Sequence, residues 1–259
     1  DEGRLMVERL PELLDERTKL VAVTQASNVL GTMPRLQEVV AAAHAAGAVV
    51  LVDGCQGVVH GGVDVEALGC DFYVFSGHKL YAPNGIGVLY GRRELLERMP
   101  PFLGGGDMVK RVRFSGTTFA DVPLKFEAGT ANYIGAVCRG EAIEYIRSIG
   151  IPEMTAHERL LAEYAAGALS AVEGVRIYGT ASDKCSILSF NAEGVHAYDM
   201  GMILDKLGIA VRTGAHCADP VMQHYGVKGM VRASFAFYNT MPEADAFVAG
   251  VQRAVRMLR

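Results

Sequence analysis

Short apolar runs alternate with helical patterns along the first half of the chain. KLVAVTQ (residues 19–25) reads as a buried strand. PRLQEVVAAAHAAG (34–47) places apolar residues at helical spacing, with Pro in its first turn and Gly at its end. AVVLVDG (48–54) is a second buried strand, DVEALG (64–69) a short helical turn, DFYVFSG (71–77) a third strand and IGVLYG (86–91) a fourth. Strands spaced by helical segments imply βαβ units and a mostly parallel sheet, whose ligands gather at the carboxyl ends of the strands. Residues 100–129, rich in Gly, Pro and Thr, are long for a plain connection and have the pattern of a functional loop. Beyond them, 134–149 and 152–173 read as long helices. Strands follow near 175–178, 186–191, 209–212 and 230–235, and a last helix starts at Pro242. The expected division is an α/β large domain over 1–133 and a smaller α+β domain over 134–259.

Composition narrows the function classes. Half of the 259 residues are hydrophobic and 21% are charged, enough for a sizeable core. The net charge of -4 comes with no Lys/Arg run, which speaks against a nucleic-acid partner. No apolar run approaches the roughly 20 residues of a membrane span, and the stretch DEGRLMVERL is acidic and amphipathic, unlike a signal peptide. The five cysteines, Cys55, Cys70, Cys138, Cys185 and Cys217, are odd in number and scattered. They form no CxxC pair, so neither a disulfide framework nor a structural zinc site is expected, and a reducing, cytoplasmic setting fits.

The candidate chemistry lies at the strand ends. Asp53 closes VVLVD, with Gln56 three residues on; Ser76, His78 and Lys79 lie at and just beyond the end of the next strand. A carboxylate ending a buried strand is costly unless partnered, although a plain turn-capping Asp is an equal reading. A parallel sheet puts both strand ends on one edge, which then carries a carboxylate, an amide, a hydroxyl, an imidazole and an amine. Pyridoxal phosphate needs this set. A lysine captures its aldehyde, a carboxylate keeps its pyridinium nitrogen protonated, and donors hold its phosphate. On that reading Asp53 meets the ring nitrogen, Gln56 the ring hydroxyl, Ser76 and His78 the phosphate, and Lys79 the aldehyde.

VDGCQ followed by DFYVFSGHKLYAPNGIGVLYG resembles the cofactor site of the class V aminotransferase-fold enzymes, of PLP-dependent transferase fold type I. SNVLGT (27–32), MPPFLGGGDMV (99–109), FEAGT (126–130), AVRTGAHCADP (210–220) and VRASFAFYNT (231–240) narrow the resemblance to the cysteine desulfurases, and within them to the group II, SufS-like branch. The resemblance spans essentially the whole chain, with its motifs in the family's order. It implies that Cys217 takes sulfur from L-cysteine and that Arg212 and Arg232 hold the substrate carboxylate. It implies that Asn28 contacts cofactor and substrate, and that Thr130 reaches the phosphate of a second subunit's cofactor, which requires a homodimer. It further implies a sulfur-acceptor protein of the SufE/SufU type, a role in iron–sulfur cluster assembly, and a further N-terminal portion ahead of Asp1 carrying a ring-stacking histidine. Ala215 departs from the pattern, where close SufS-like members often carry histidine.

The residues around Cys217 fit that role. Asp219-Pro220 reads as an N-cap and first helical turn, and a thiol near a helix N-terminus, with Arg212 and His216 close in sequence, favours thiolate. Cys55, Cys70, Cys138 and Cys185 read as buried and inert, and His44, His60, His157, His196 and His224 as packed or solvent-facing. The rival readings are a selenocysteine lyase, another class V aminotransferase-like PLP enzyme, or an inactive fragment retaining the fold. A metal site on His216 and Cys217 lacks a second ligand pair at zinc spacing, so no metal is expected.

Overall fold

The computed structural model describes residues 2–259. Its first lobe builds β1 (Leu20–Thr24), α1 (Leu36–Ala45), β2 (Val49–Asp53), the single turns α2 (Gly57–His60) and α3 (Val65–Leu68), β3 (Phe72–Ser76), β4 (Gly87–Gly91) and α4 (Arg93–Arg98). The sheet order is β1-β2-β3-β4. β1, β2 and β3 are parallel, with Thr24 opposite Asp53 and Asp53 opposite Val74; β4 returns antiparallel to β3. Alternation explains the packing: Val50 and Val52 point to one face and are buried against Leu36, Val40 and Ala43 of α1.

The loop expected over 100–129 contains regular structure that sequence analysis did not anticipate. β5 (Val109–Arg113) and β6 (Gly116–Phe119) form a hairpin, with Gly116 at φ +143 where β6 leaves the two-residue turn. Nearly every hairpin residue is exposed, so no apolar alternation marks these strands.

α5 (Tyr133–Ile149) and α6 (Ile151–Ser170) break at Gly150, whose φ of +99 and following Pro152 end one helix and begin the next. α5 packs Ile143, Ile146 and Ile149 with Val59 and Leu80 of the first lobe. α6 runs onto the second lobe, which is completed by β7 (Val175–Tyr178), β8 (Ile187–Ala192), α7 (Ala197–Lys206), β9 (Arg212–Gly214), α8 (Asp219–Tyr225), β10 (Met230–Ser234) and α9 (Met241–Leu258). Here the sheet is antiparallel throughout, in the order β7-β8-β10-β9. The strand expected over 209–212 begins at Arg212, because β10 pairs only with Arg212, Thr213 and Gly214. The apolar stripe of α9 (Ala244, Phe247, Val248, Val251, Val255) closes over this sheet, and a capping box between Thr240 and Glu243 fixes its start. Among the described residues no helix is long and apolar enough to cross a membrane.

One polar cluster joins the lobes. His60 of α2 meets Glu158 of α6 at 2.7 Å, and Ser186, just before β8, lies 3.2 Å from the same carboxylate and 2.7 Å from the Phe235 carbonyl. His60 and Glu158 are 8% and 2% exposed, so each depends on the other, and Glu158 Oε1 has no partner among the described residues. Truncating His60 leaves the Glu158 carboxylate buried with only the Ser186 hydroxyl against it, which costs about 3–5 kcal/mol. His60→Ala is therefore expected to lower Tm by roughly 10 °C. Thermal melts of the variant and the parent check this; an unchanged Tm contradicts the buried pair.

Candidate active site

The carboxyl ends of β1, β2 and β3 converge as the parallel pairing requires. Asp53 ends β2 exposed, and its Oδ1 accepts the Cys55 N–H at 2.9 Å, so it caps the turn and still faces outward. The turn-capping reading of Asp53 is thus seen directly, and its exposed carboxylate is left at the strand edge. Beside it, Ser76 Oγ and His78 Nδ1 share a hydrogen bond of 2.7 Å, and Lys79 ends the short 3-10 turn Gly77–Lys79. Neither Asp53 nor Lys79 has an ion-pair partner among the described residues. Gln56 stands half-buried at the start of α2.

Two glycines let this edge fold. A Cβ on Gly54 would lie 1.9 Å from the Tyr73 hydroxyl, which donates to Gln25 Oε1. A Cβ on Gly77 would meet Ile86 Cγ2 at 2.9 Å. Just past Lys79, Tyr81 holds φ +59, a strained value for an aromatic residue.

Cys55 belongs to this edge, which sequence analysis missed. Burial and then the Asp53 carboxylate push its thiol pKa up, while Lys79 pulls the other way. Its position two residues after Asp53, in the same turn, was the available signal. Of the other cysteines expected to be buried, Cys70 and Cys185 are, and burial pushes the Cys185 thiol up to about 12. Cys138 is instead exposed, because α5 turns that face to solvent.

A second cluster forms around β9 and β10. Arg212 and Arg232 stand directly opposite each other across the two strands. Like charges at such a pair are destabilising, and neither has a carboxylate partner among the described residues. Arg232 Nη1 donates to the Asn28 carbonyl at 2.7 Å, but its buried Nε has no acceptor. Burial, and then the Arg212 charge, disfavour its charged form. Two facing cations with an orphaned donor are satisfied by an anion, and a planar carboxylate matches the guanidinium fork.

Cys217 lies exposed, one residue after His216, whose ring feels both arginine charges, in a turn of unusual backbone. His216 and Cys217 hold φ +54 and +57, and Ala218 N–H closes the turn onto the Ala215 carbonyl at 3.0 Å. Left-handed conformations cost non-glycine residues about 1–2 kcal/mol each. Such strain concentrates at functional positions. Ala218, rather than the expected Asp219, is the N-cap of α8, and it offers no side-chain cap; Asp219 is the first helical residue.

His216 is 5% exposed and its Nε2 meets the Met230 carbonyl at 3.0 Å, which fixes the proton on Nε2. Burial lowers its pKa, so the ring is neutral near pH 7. The expectation that His216 adds positive charge beside the thiol is thus corrected: desolvation in the lobe's interior outweighs it. Arg212 and Arg232 remain as the cations next to the turn.

Asn28 links the two clusters. It follows β1 on the same carboxyl edge, where Gln25 N–H reaches the Asp53 carbonyl at 2.8 Å, and its Nδ2 donates to the His216 carbonyl at 2.7 Å. Thr130 lies exposed ahead of α5 and shares no hydrogen bond with either cluster among the described residues. A concavity of about 890 Å³ between β7, β8 and residues 227–229 is not at the Lys79 edge; it touches the second cluster through Thr213 and Gly214 of β9.

The exposed carboxylate, the amine, and the hydroxyl and imidazole at one strand edge form a set of groups whose chemistry fits pyridoxal phosphate. A cysteine desulfurase of Dickeya dadantii (strain 3937) is 52% identical over 259 residues, which are all of this chain and 63% of that protein. The solved cysteine desulfurase CsdA from Escherichia coli superposes with a TM-score of 0.95 at 47% identity, covering 98% of this chain and 63% of that one. The apo cysteine desulfurase from Thermococcus onnurineus NA1 also gives a TM-score of 0.95, at 37% identity, over 99% of this chain and 64% of that one. The chain thus has the fold of these enzymes and spans less than two thirds of their length. Residues 1–247 match the family described as Aminotransferase class-V, and the chain belongs to that family.

Proposed function

We propose that the protein is a pyridoxal phosphate-dependent cysteine desulfurase that moves sulfur from L-cysteine to Cys217. The observation that carries this reading is the facing Arg212–Arg232 pair, without a carboxylate of its own, beside an exposed thiol in a strained turn. An amino-acid carboxylate completes the pair and brings the substrate's thiol to Cys217. The cofactor would be held by Lys79, Asp53, Gln56, Ser76 and His78. When bound, it supplies an electron sink for the substrate's Cα.

The chain's own groups do the rest. Arg212 and Arg232 orient the substrate by its carboxylate. The Lys79 amine takes the proton from Cα and later returns one. Cys217, as thiolate, attacks the substrate sulfur. The carbon–sulfur bond breaks, a sulfur–sulfur bond forms, and L-cysteine leaves as L-alanine. The persulfide on Cys217 carries the transferred sulfur, so atoms and electrons balance without an outside oxidant or reductant.

The same reading assigns the protein to the group II, SufS-like branch. Cys217, being exposed, suits sulfur transfer to an acceptor protein of the SufE/SufU type, for iron–sulfur cluster assembly. Thr130 lies exposed next to Tyr133, Ile134 and Val137, each about two-thirds exposed, which favours a second copy covering this stretch as a homodimer. Five free cysteines fit a reducing cytoplasm.

The arginine pair provides the test. Arg232→Ala is expected to lower kcat/KM for L-cysteine by ~10²–10³-fold, mainly through KM, because it removes a charged, half-buried carboxylate partner. Arg232→Lys restores little, since an ammonium cannot reproduce the fork. Steady-state kinetics with L-cysteine and with L-selenocysteine check this in both substrates. Unchanged KM in Arg232→Ala removes the assignment.

A further inference from the structure

We propose that Asn28 is a positioning residue that ties the Cys217 turn to the first lobe, with His216 as the second anchor of the same turn. This deepens the reading of Cys217 as sulfur acceptor and rests on it. The turn 215–218 has both central residues left-handed, at φ +54 and +57. Turns of that sense are ordinarily built on Asn-Gly, where the conformation is cheap. His216-Cys217 has no such relief, so the conformation must be held from outside.

Two hydrogen bonds hold it. His216 Nε2 donates to the Met230 carbonyl at 3.0 Å, fastening the turn to β10, the strand that also carries Arg232. Asn28 Nδ2 donates to the His216 carbonyl at 2.7 Å across 188 residues of sequence. Asn28 also meets the clamp, but through its backbone: its carbonyl accepts Arg232 Nη1 at 2.7 Å. One residue therefore touches the carboxylate clamp with its main chain and the thiol turn with its side chain. Asn28→Ala cuts the second link and keeps the first, and His216→Ala loosens the same turn without touching Asn28.

The experiment uses the intact, cofactor-loaded protein and the variants Asn28→Ala, His216→Ala and His216→Gln. Hydrogen exchange of residues 213–222 is read by mass spectrometry, beside cofactor absorbance and kinetics with L-cysteine. In Asn28→Ala and His216→Ala, exchange in this segment is expected to quicken about tenfold, with other segments unchanged. kcat is expected to fall roughly ten- to hundredfold in both, and in His216→Ala KM stays within about threefold, because Arg212, Arg232 and Asn28 remain in place. His216→Gln, whose amide reaches toward the same carbonyl, recovers most of both losses. The proposal is overturned if Asn28→Ala leaves exchange at 213–222 unchanged, whether or not cofactor absorbance or KM shifts. A shift in those two alone assigns Asn28 to the cofactor or substrate pocket only. The exchange comparison needs no turnover, so it decides the proposal even if the parent protein proves not to desulfurate cysteine.

Discussion

Replacing Cys217 with alanine is expected to leave the visible absorbance of the bound cofactor in place and to lower conversion of L-cysteine to L-alanine by more than ~10³-fold. The separation follows from the layout. On the proposed reading the cofactor contacts lie at the carboxyl ends of β2 and β3, whereas Cys217 stands between β9 and α8. Removing the thiol leaves Arg212 and Arg232 facing each other, so the proposed carboxylate clamp is kept. What would be lost is the proposed sulfur acceptor. Cys217→Ser fails equally, because a hydroxyl forms no persulfide. Absorbance spectra and an alanine assay on the same preparation check both halves. Alanine production at the parent rate would mean that another group takes the sulfur.

Lys79→Ala is expected to abolish turnover as well, with a different signature. On the proposed reading the lysine anchors the cofactor covalently and moves the Cα proton, and general acid–base catalysis alone contributes ~10²–10⁴-fold. Gel filtration should then strip the cofactor from the variant while the parent keeps it, since Asp53, Ser76 and His78 would supply only noncovalent contacts. Lys79→Arg gives no rescue, because a guanidinium does not deprotonate near neutral pH. The substitution spares the fold: Leu80, the next residue, is 4% exposed and packs with Val59, Ile146 and Met154 independently of the amine. A Lys79→Ala variant that retains cofactor colour and turnover contradicts the assignment.

The first lobe was legible in the sequence because its rules are local. Strands such as VVLVD are short apolar runs bounded by Gly, and parallel pairing then forces Asp53 and Ser76 to a common edge. The strand near Arg212 was displaced because its pairing is set by β10, not by its own apolar run 209–211. The hairpin over β5 and β6 went unread because its strands are exposed on both faces and carry no period-two pattern.

The candidate site was legible in its residue types and less so in its electrostatics. Asp53 ends β2, Lys79 follows β3 and Cys217 precedes α8, positions that strand order alone predicts, whatever their roles. The neutrality of His216 depends on burial among residues far away in sequence, and the hydrogen bonds that this histidine makes reach Asn28 and Met230. Neither leaves a mark in the local stretch GAHCADP. The His60–Glu158–Ser186 cluster likewise unites residues 98 and 28 positions apart, with no shared motif.

The most direct test of the central claim is to treat the cofactor-loaded protein with L-cysteine and weigh its cysteine peptides by mass spectrometry. The account predicts one added sulfur atom on the peptide containing Cys217, removed by a thiol reductant and absent in Lys79→Ala. Alanine formed without that added sulfur, or with it on Cys55 or Cys138 instead, would contradict the account.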